Sequence, residues 1–145
     1  MVAFIAFFGG IGPWVADYNE THIFNPRWPP HAVFHDGQVI AFASASGLLA
    51  LAFLVRRRGD AWTNFLAAWG AASLYWLSLS LAALFPRGAW LDPELRDDPS
   101  QYVLTIPGNA FGCIVFGALL AVAGGLGWRA HLGGARAGGA KGAST

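Results

Sequence analysis

Between Asp17 and Gln38 the chain reads DYNETHIFNPRWPPHAVFHDGQ, a stretch that gathers three of the four histidines, three of the eight acidic residues and three of the eight prolines. Histidine titrates near neutral pH, and desolvation raises the pKa of a carboxylate at the edge of an apolar region, so a His/Asp or His/Glu pair here could move protons. His31 and His35 are four apart and share one face of a helix that begins near Pro30. Two consecutive prolines suit such a first turn, where a missing N–H costs nothing, and Gln38 and Phe42 continue the stripe. On the preceding helix Asp17, Glu20 and Thr21 share a face if helix persists past Ala16, with His22 one step around. Asn25-Pro26 and Trp28-Pro29-Pro30 are stiff, turn-forming pairs. They predict a rigid hairpin that sets Asp17, Glu20 and His22 opposite His31, His35 and Asp36.

The leading expectation is acid-base catalysis in which Glu20, His31 and His35 give and take protons while Asp17 and His22 orient them. Substrate contacts are expected from Trp28, Gln38 and Asn25, and from Trp69 and Trp76 farther along the chain. A second reading uses the same groups as ligands: His22, His31 and His35 with a carboxylate are donor types that suit zinc, iron or copper. A third is a ligand-binding or transport pocket without chemistry. The plain alternative is that these groups sit solvated in a lipid headgroup layer, with Trp14, Tyr18 and Trp28 as an interfacial aromatic belt.

The elements that must position this stretch are apolar. Hydrophobic residues make up 55% of the 145 residues and charged ones 12%, against roughly 25% charged in average soluble domains. Four uncharged or nearly uncharged runs predict an all-α integral membrane four-helix bundle, with spans at about 2–20, 31–55, 61–85 and 108–128 forming a membrane domain over 1–131. The first run, Val2 to Ala16, covers only about 22 Å as a helix against a hydrocarbon core of about 30 Å, so it must tilt or continue past Asp17. Pro86 stops the third run. Residues 87–107 read as an acidic, proline-punctuated loop, and residues 132–145 as a disordered Gly/Ala-rich tail. Gly108-x3-Gly112 and Ala121-x3-Gly125 in the fourth run predict close helix approach, and a bundle this rich in Gly and Ala suits a homo-oligomer. Trp69, Ser73, Trp76 and Ser80 form a line on the third helix that reads as a packed interior face.

Arg56, Arg57, Arg58, Arg129, Arg136 and Lys141 fall on the side of the termini, against Arg27, Arg87 and Arg96 on the other. Six basic residues against three place both termini in the cytoplasm and the histidine-rich stretch on the non-cytoplasmic side. A net charge of +1 offers no field for nucleic acid. The single cysteine, Cys113, cannot form a disulfide within the chain.

The run W-x-A-D-Y-N-E-T-H-I-F-N-P-R-W-P-P-H-A-x-F-H-x-G-Q, Trp14 to Gln38, resembles the signature of a family of small, uncharacterised four-span membrane proteins of fungi and bacteria. The resemblance singles out this stretch as the site and implies no particular reaction. In architecture the chain is more distantly similar to the emopamil-binding-protein isomerases and the sigma-2 receptor. There a first span also leads through an outer loop into a second, with ionisable residues around a lipophilic pocket. Together these observations predict a membrane enzyme of isomerase, cyclase or hydrolase type acting on a small lipophilic or isoprenoid-like molecule, the alternative being non-catalytic metal or ligand binding.

Overall fold

The computed structural model describes the backbone of residues 1–142 and the side chains of residues 1–135. The chain is all-helical: α1 (Val2–Ala16), α2 (Pro30–Val55), α3 (Ala61–Ala82) and α4 (Gly108–Gly142) are joined by loops, the last of which holds a two-residue antiparallel pairing of Tyr102–Val103 with Ile106–Pro107. Pro30–Val55, Ala61–Ala82 and Gly108–Ala135 are long and apolar enough to cross a membrane, whereas α1 is a shorter apolar helix.

Local chemistry sets the helix ends. α1 stops at Ala16 and not near residue 20, because the Asn19 side-chain amide donates to the Ala16 carbonyl at 2.6 Å and the Asp17 carbonyl turns to accept from the N–H groups of Asn19 and Ile23. The common face of Asp17, Glu20 and Thr21 expected from a longer helix therefore does not form. α2 starts at Pro30, behind an extended Pro29. Asp60 caps α3, accepting from the Thr63 N–H at 2.7 Å and the Thr63 hydroxyl at 2.8 Å. Gly59, at φ +81°, makes the turn before it, and the Asn64 amide pins that turn by donating to the carbonyls of Arg56 and Arg58. α4 continues past 128 and remains helical to Gly142, although the composition of 132–145 predicts disorder. No proline interrupts this stretch; residues 143–145 lie outside the described chain.

α1 packs against α2 and α3, α2 against α3, and α4 against α3. α1 and α2 cross with almost no side chain between them. A Cβ placed on Gly47 would stand 2.7 Å from the Ala6 carbonyl oxygen and 3.1 Å from the Gly10 Cα. Above the crossing, the Trp14 indole donates to the Ser44 hydroxyl at 2.8 Å, and that hydroxyl lies within donating distance of the Gly10 and Ile40 carbonyls.

α3 meets α4 differently: aromatic rings of one fill glycine positions of the other. Phe65 lies over Gly127, Trp69 over Gly124 and Trp76 over Gly112, and the Trp69 indole donates to the Leu120 carbonyl at 2.8 Å. Of the spacings that predicted backbone approach, Gly112 receives a ring, Gly125 has no neighbour within 4 Å, and Gly108 meets only the Gln101 carbonyl.

The buried core is built largely from small residues, including Ala6, Ala43, Ala50, Ala68, Ala71, Ala72 and Ala123. Large apolar side chains such as Phe7, Leu48, Leu77 and Ile114 are exposed. A water-soluble domain rarely exposes so much contiguous apolar surface; small-inside, large-outside packing is compatible with a lipid surround.

The two kinds of contact give unequal sensitivities. Gly47→Val forces a side chain into the Ala6 backbone and should cost about 2–3 kcal/mol or prevent folding. Gly117→Ala, with nothing within 4 Å of the new methyl, should be neutral or stabilising by up to about 1 kcal/mol. Thermal unfolding of both variants in detergent checks this; equal midpoints would remove Gly47 as the crossing point.

Candidate functional site

The loop after α1 is held by side chains that also fix the state of one histidine. Because the Asn19 NH2 group is committed to the Ala16 carbonyl, its Oδ1 faces Thr21 and accepts from the Thr21 N–H at 2.8 Å. The Thr21 hydroxyl lies 2.6 Å from that same Oδ1 and 2.7 Å from His22 Nδ1. A hydroxyl has one proton to give. Donating it to the imidazole would leave two oxygen acceptors facing each other at 2.6 Å, so it goes to Asn19 and His22 Nδ1 carries a hydrogen that it donates to Thr21. His22 Nε2 is left as the lone-pair nitrogen, and it faces Asp17 Oδ1 at 3.8 Å. Trp28 sets its edge against the His22 ring, with centroids 5.2 Å apart and planes at 77°, which fixes the ring's second side.

Asp17 caps the C-terminus of α1 and its side chain is largely withdrawn from solvent. Burial pushes its carboxyl up to about 6; His22 draws it down and the nearby Asp36 charge pushes it further up. Asp36 comes from α2, and its Oδ2 is buried without a hydrogen-bond partner among the described residues. The buried Tyr75 of α3 lies within electrostatic reach of Asp17, Asp36 and Cys113. Asp17, His22 and Asp36 thus form a polar cluster drawn from the end of α1, the loop after it and α2, with Tyr75 of α3 within electrostatic reach of both aspartates. A separate groove of about 240 Å³ runs along α1 and α2, lined by residues that include Gly10, Trp14, Ser44, Gly47 and Leu51 and by none of these four polar residues.

The structure divides the residues expected from the sequence. Asp17 and His22 face each other, with Trp28 beside them. Glu20 is exposed. His31, His35 and Gln38 line the exposed side of α2, where His35 Nε2 lies 3.0 Å from His31 Nε2 and His35 Nδ1 lies 3.2 Å from Gln38 Oε1. Asn25 is buried, its amide donating to the Thr21 carbonyl and accepting from the Arg27 N–H, so both of its ends hold the loop itself. Trp69 and Trp76 are taken up by the contact with α4. No three His, Cys, Asp or Glu side chains converge to hold a metal ion among the described residues: His22 turns to Asp17, while His31 and His35 turn to each other.

Asp36 and Tyr75 are the members that the histidine spacing does not single out. A signal for Asp36 exists nonetheless, since it heads the buried stripe Ile40, Ala43, Gly47 and Ala50 at spacings of four, three, four and three.

Arg27 pairs with Glu94 at 2.6 Å and ties this loop to the one before α4. Both side chains are well exposed, so the pair contributes little stability.

A helical bundle with three membrane-length apolar helices and a partly buried polar cluster at one end defines the class. Within it, the chain belongs to a family of unknown function, DUF6640, whose pattern matches residues 1–129. No curated protein and no solved structure matches the chain.

The Asp17 environment predicts a pH dependence. Between the ordinary carboxyl value of 3.8 and about 6, the folded chain keeps a proton that the unfolded chain releases. Stability should therefore fall as pH rises through that window and level off above it. Asp17→Asn should flatten this part of the profile. Thermal midpoints in detergent from pH 4 to 8 measure it, and an unchanged slope in the variant would exclude Asp17 as its source.

Proposed function

We propose that this protein is an integral membrane enzyme that transfers protons on a small lipophilic, isoprenoid-like substrate, with His22 as base and Asp17 as acid. The observation that carries the reading is the Asp17 and His22 pair: an imidazole with its free nitrogen fixed by Thr21, facing a carboxyl that holds its proton to about pH 6. A general acid works best when its pKa lies near the working pH, and burial pushes the Asp17 carboxyl up toward it. Asp36, with an unpartnered acceptor oxygen, supplies a point at which a substrate hydroxyl or other donor would dock. The apolar groove along α1 and α2 supplies space for a hydrocarbon tail.

This assignment moves the chemistry inward from Glu20, His31 and His35, which are exposed, to groups sheltered from water. Shelter matters because a proton exchanged with bulk solvent is lost to the substrate. The membrane reading rests on the three membrane-length helices and the exposed large apolar side chains. The six-to-three bias in basic residues supports cytoplasmic termini and a non-cytoplasmic polar cluster.

Solvent exchange tests the proposal without a known product. Protein in nanodiscs made with total lipid extract and D2O should incorporate deuterium into a lipophilic component, detected by mass spectrometry. His22→Asn and Asp17→Asn should each slow incorporation by about 10²-fold or more. Incorporation by folded His22→Asn at the wild-type rate, or none by the wild type, would overturn it.

A further inference from the structure

Outside the Asp17 and His22 pair, the exposed face of α2 carries a second arrangement of nitrogen donors. His31 and His35 bring their Nε2 atoms to 3.0 Å, with ring planes at 77°. Two neutral imidazoles in that contact share one proton, so one Nε2 donates and the other accepts. Gln38 decides which. Its Oε1 can only accept, and it lies 3.2 Å from His35 Nδ1; His35 therefore carries its hydrogen on Nδ1 and presents a lone pair at Nε2.

That is the form in which histidine binds metals: one nitrogen free, the other donating to an oxygen that fixes the ring. The separation fits as well. Zinc-to-imidazole nitrogen bonds are about 2.0–2.1 Å. Two such nitrogens at angles of about 90–110° around one ion lie about 2.9–3.4 Å apart, so an ion can replace the shared proton with little ring movement. The pair sits in the first two turns of α2, exposed and adjoining the polar loop.

We infer that His31 and His35 form a two-nitrogen site for a divalent transition-metal ion, separate from the proton-transfer pair and independent of it. The protein supplies two ligands and leaves the remaining positions to water. Imidazole donors place copper(II) above zinc(II) and nickel(II) in affinity. Gln38 acts as a positioning residue through His35 and does not touch the ion.

Copper(II) titrated into the untagged full chain in nanodiscs, followed by electron paramagnetic resonance and equilibrium dialysis, tests the site. One ion per chain is expected, with hyperfine structure from two imidazole nitrogens. His31→Ala, His35→Ala and the conservative His31→Gln should each weaken binding at least tenfold. Gln38→Leu should weaken it by about tenfold while preserving the two-nitrogen spectrum. His22→Asn should leave the affinity unchanged, which separates this site from the proton-transfer pair. Wild-type chain that binds no copper, a spectrum showing fewer than two imidazole nitrogens, or equally tight binding by the folded His31→Ala/His35→Ala double variant would overturn the inference.

Discussion

The arrangement depends most on where one indole ring is seated. Trp76 of α3 fits between Gly9 of α1 and Gly112 of α4; a Cβ on either glycine would lie 3.1 or 3.0 Å from it. Its ring stacks on Phe116 at 3.9 Å and 8°, and Phe4 and Phe8 of α1 close on Phe116 from beyond. Three helices therefore meet at a single side chain. In a lipid surround, burying apolar area gives no drive for association, and close packing must supply the attraction. A large flat ring filling two glycine hollows does so over more atoms than any pair of aliphatic side chains could.

This seating also decides what happens one residue away. Tyr75 sets its ring nearly perpendicular to Trp76, with centroids 5.0 Å apart, so the fit of the indole fixes the direction of the phenol. The phenol lies within electrostatic reach of Asp17 and Asp36. The loop part of the polar cluster is positioned by the Asn19, Thr21 and His22 hydrogen-bond chain. The Gly10 and Gly47 crossing adds a further constraint, because it brings together α1, which ends at Asp17, and α2, which carries Asp36, whose charge acts on Asp17.

Much of the helical layout is legible in the sequence, and the reasons are simple. Long uncharged runs, a double proline before a helix and an Asp-x-x-Thr cap each act within a few residues, so no tertiary information is needed to read them. The candidate site is harder because α2 carries two stripes. His31, His35, Gln38 and Phe42 form the conspicuous one, and it faces outward. Asp36, Ile40, Ala43, Gly47 and Ala50 form the other, and it faces inward. Residue type draws attention to the first, whereas burial, which favours chemistry, belongs to the second. The pairing of Phe65, Trp69 and Trp76 with Gly127, Gly124 and Gly112 could not be read at all. It requires the register of two helices separated by a 25-residue connection, and the glycine spacings alone point to backbone contact instead.

The polar cluster is built in a way that structural economy does not explain. Asp17 and Asp36 lie near one another at the end of an apolar bundle, where the Asp36 charge raises the cost of ionising Asp17. An acceptor oxygen of one is buried and unpartnered. A purely structural histidine and aspartate would close to hydrogen-bonding distance and satisfy one another. His22 Nε2 and Asp17 Oδ1 instead stand 3.8 Å apart, while Thr21 on one side and Trp28 on the other keep the imidazole from turning away. An imidazole nitrogen and a carboxyl of raised pKa held near each other without combining are what the proposed proton transfer rests on.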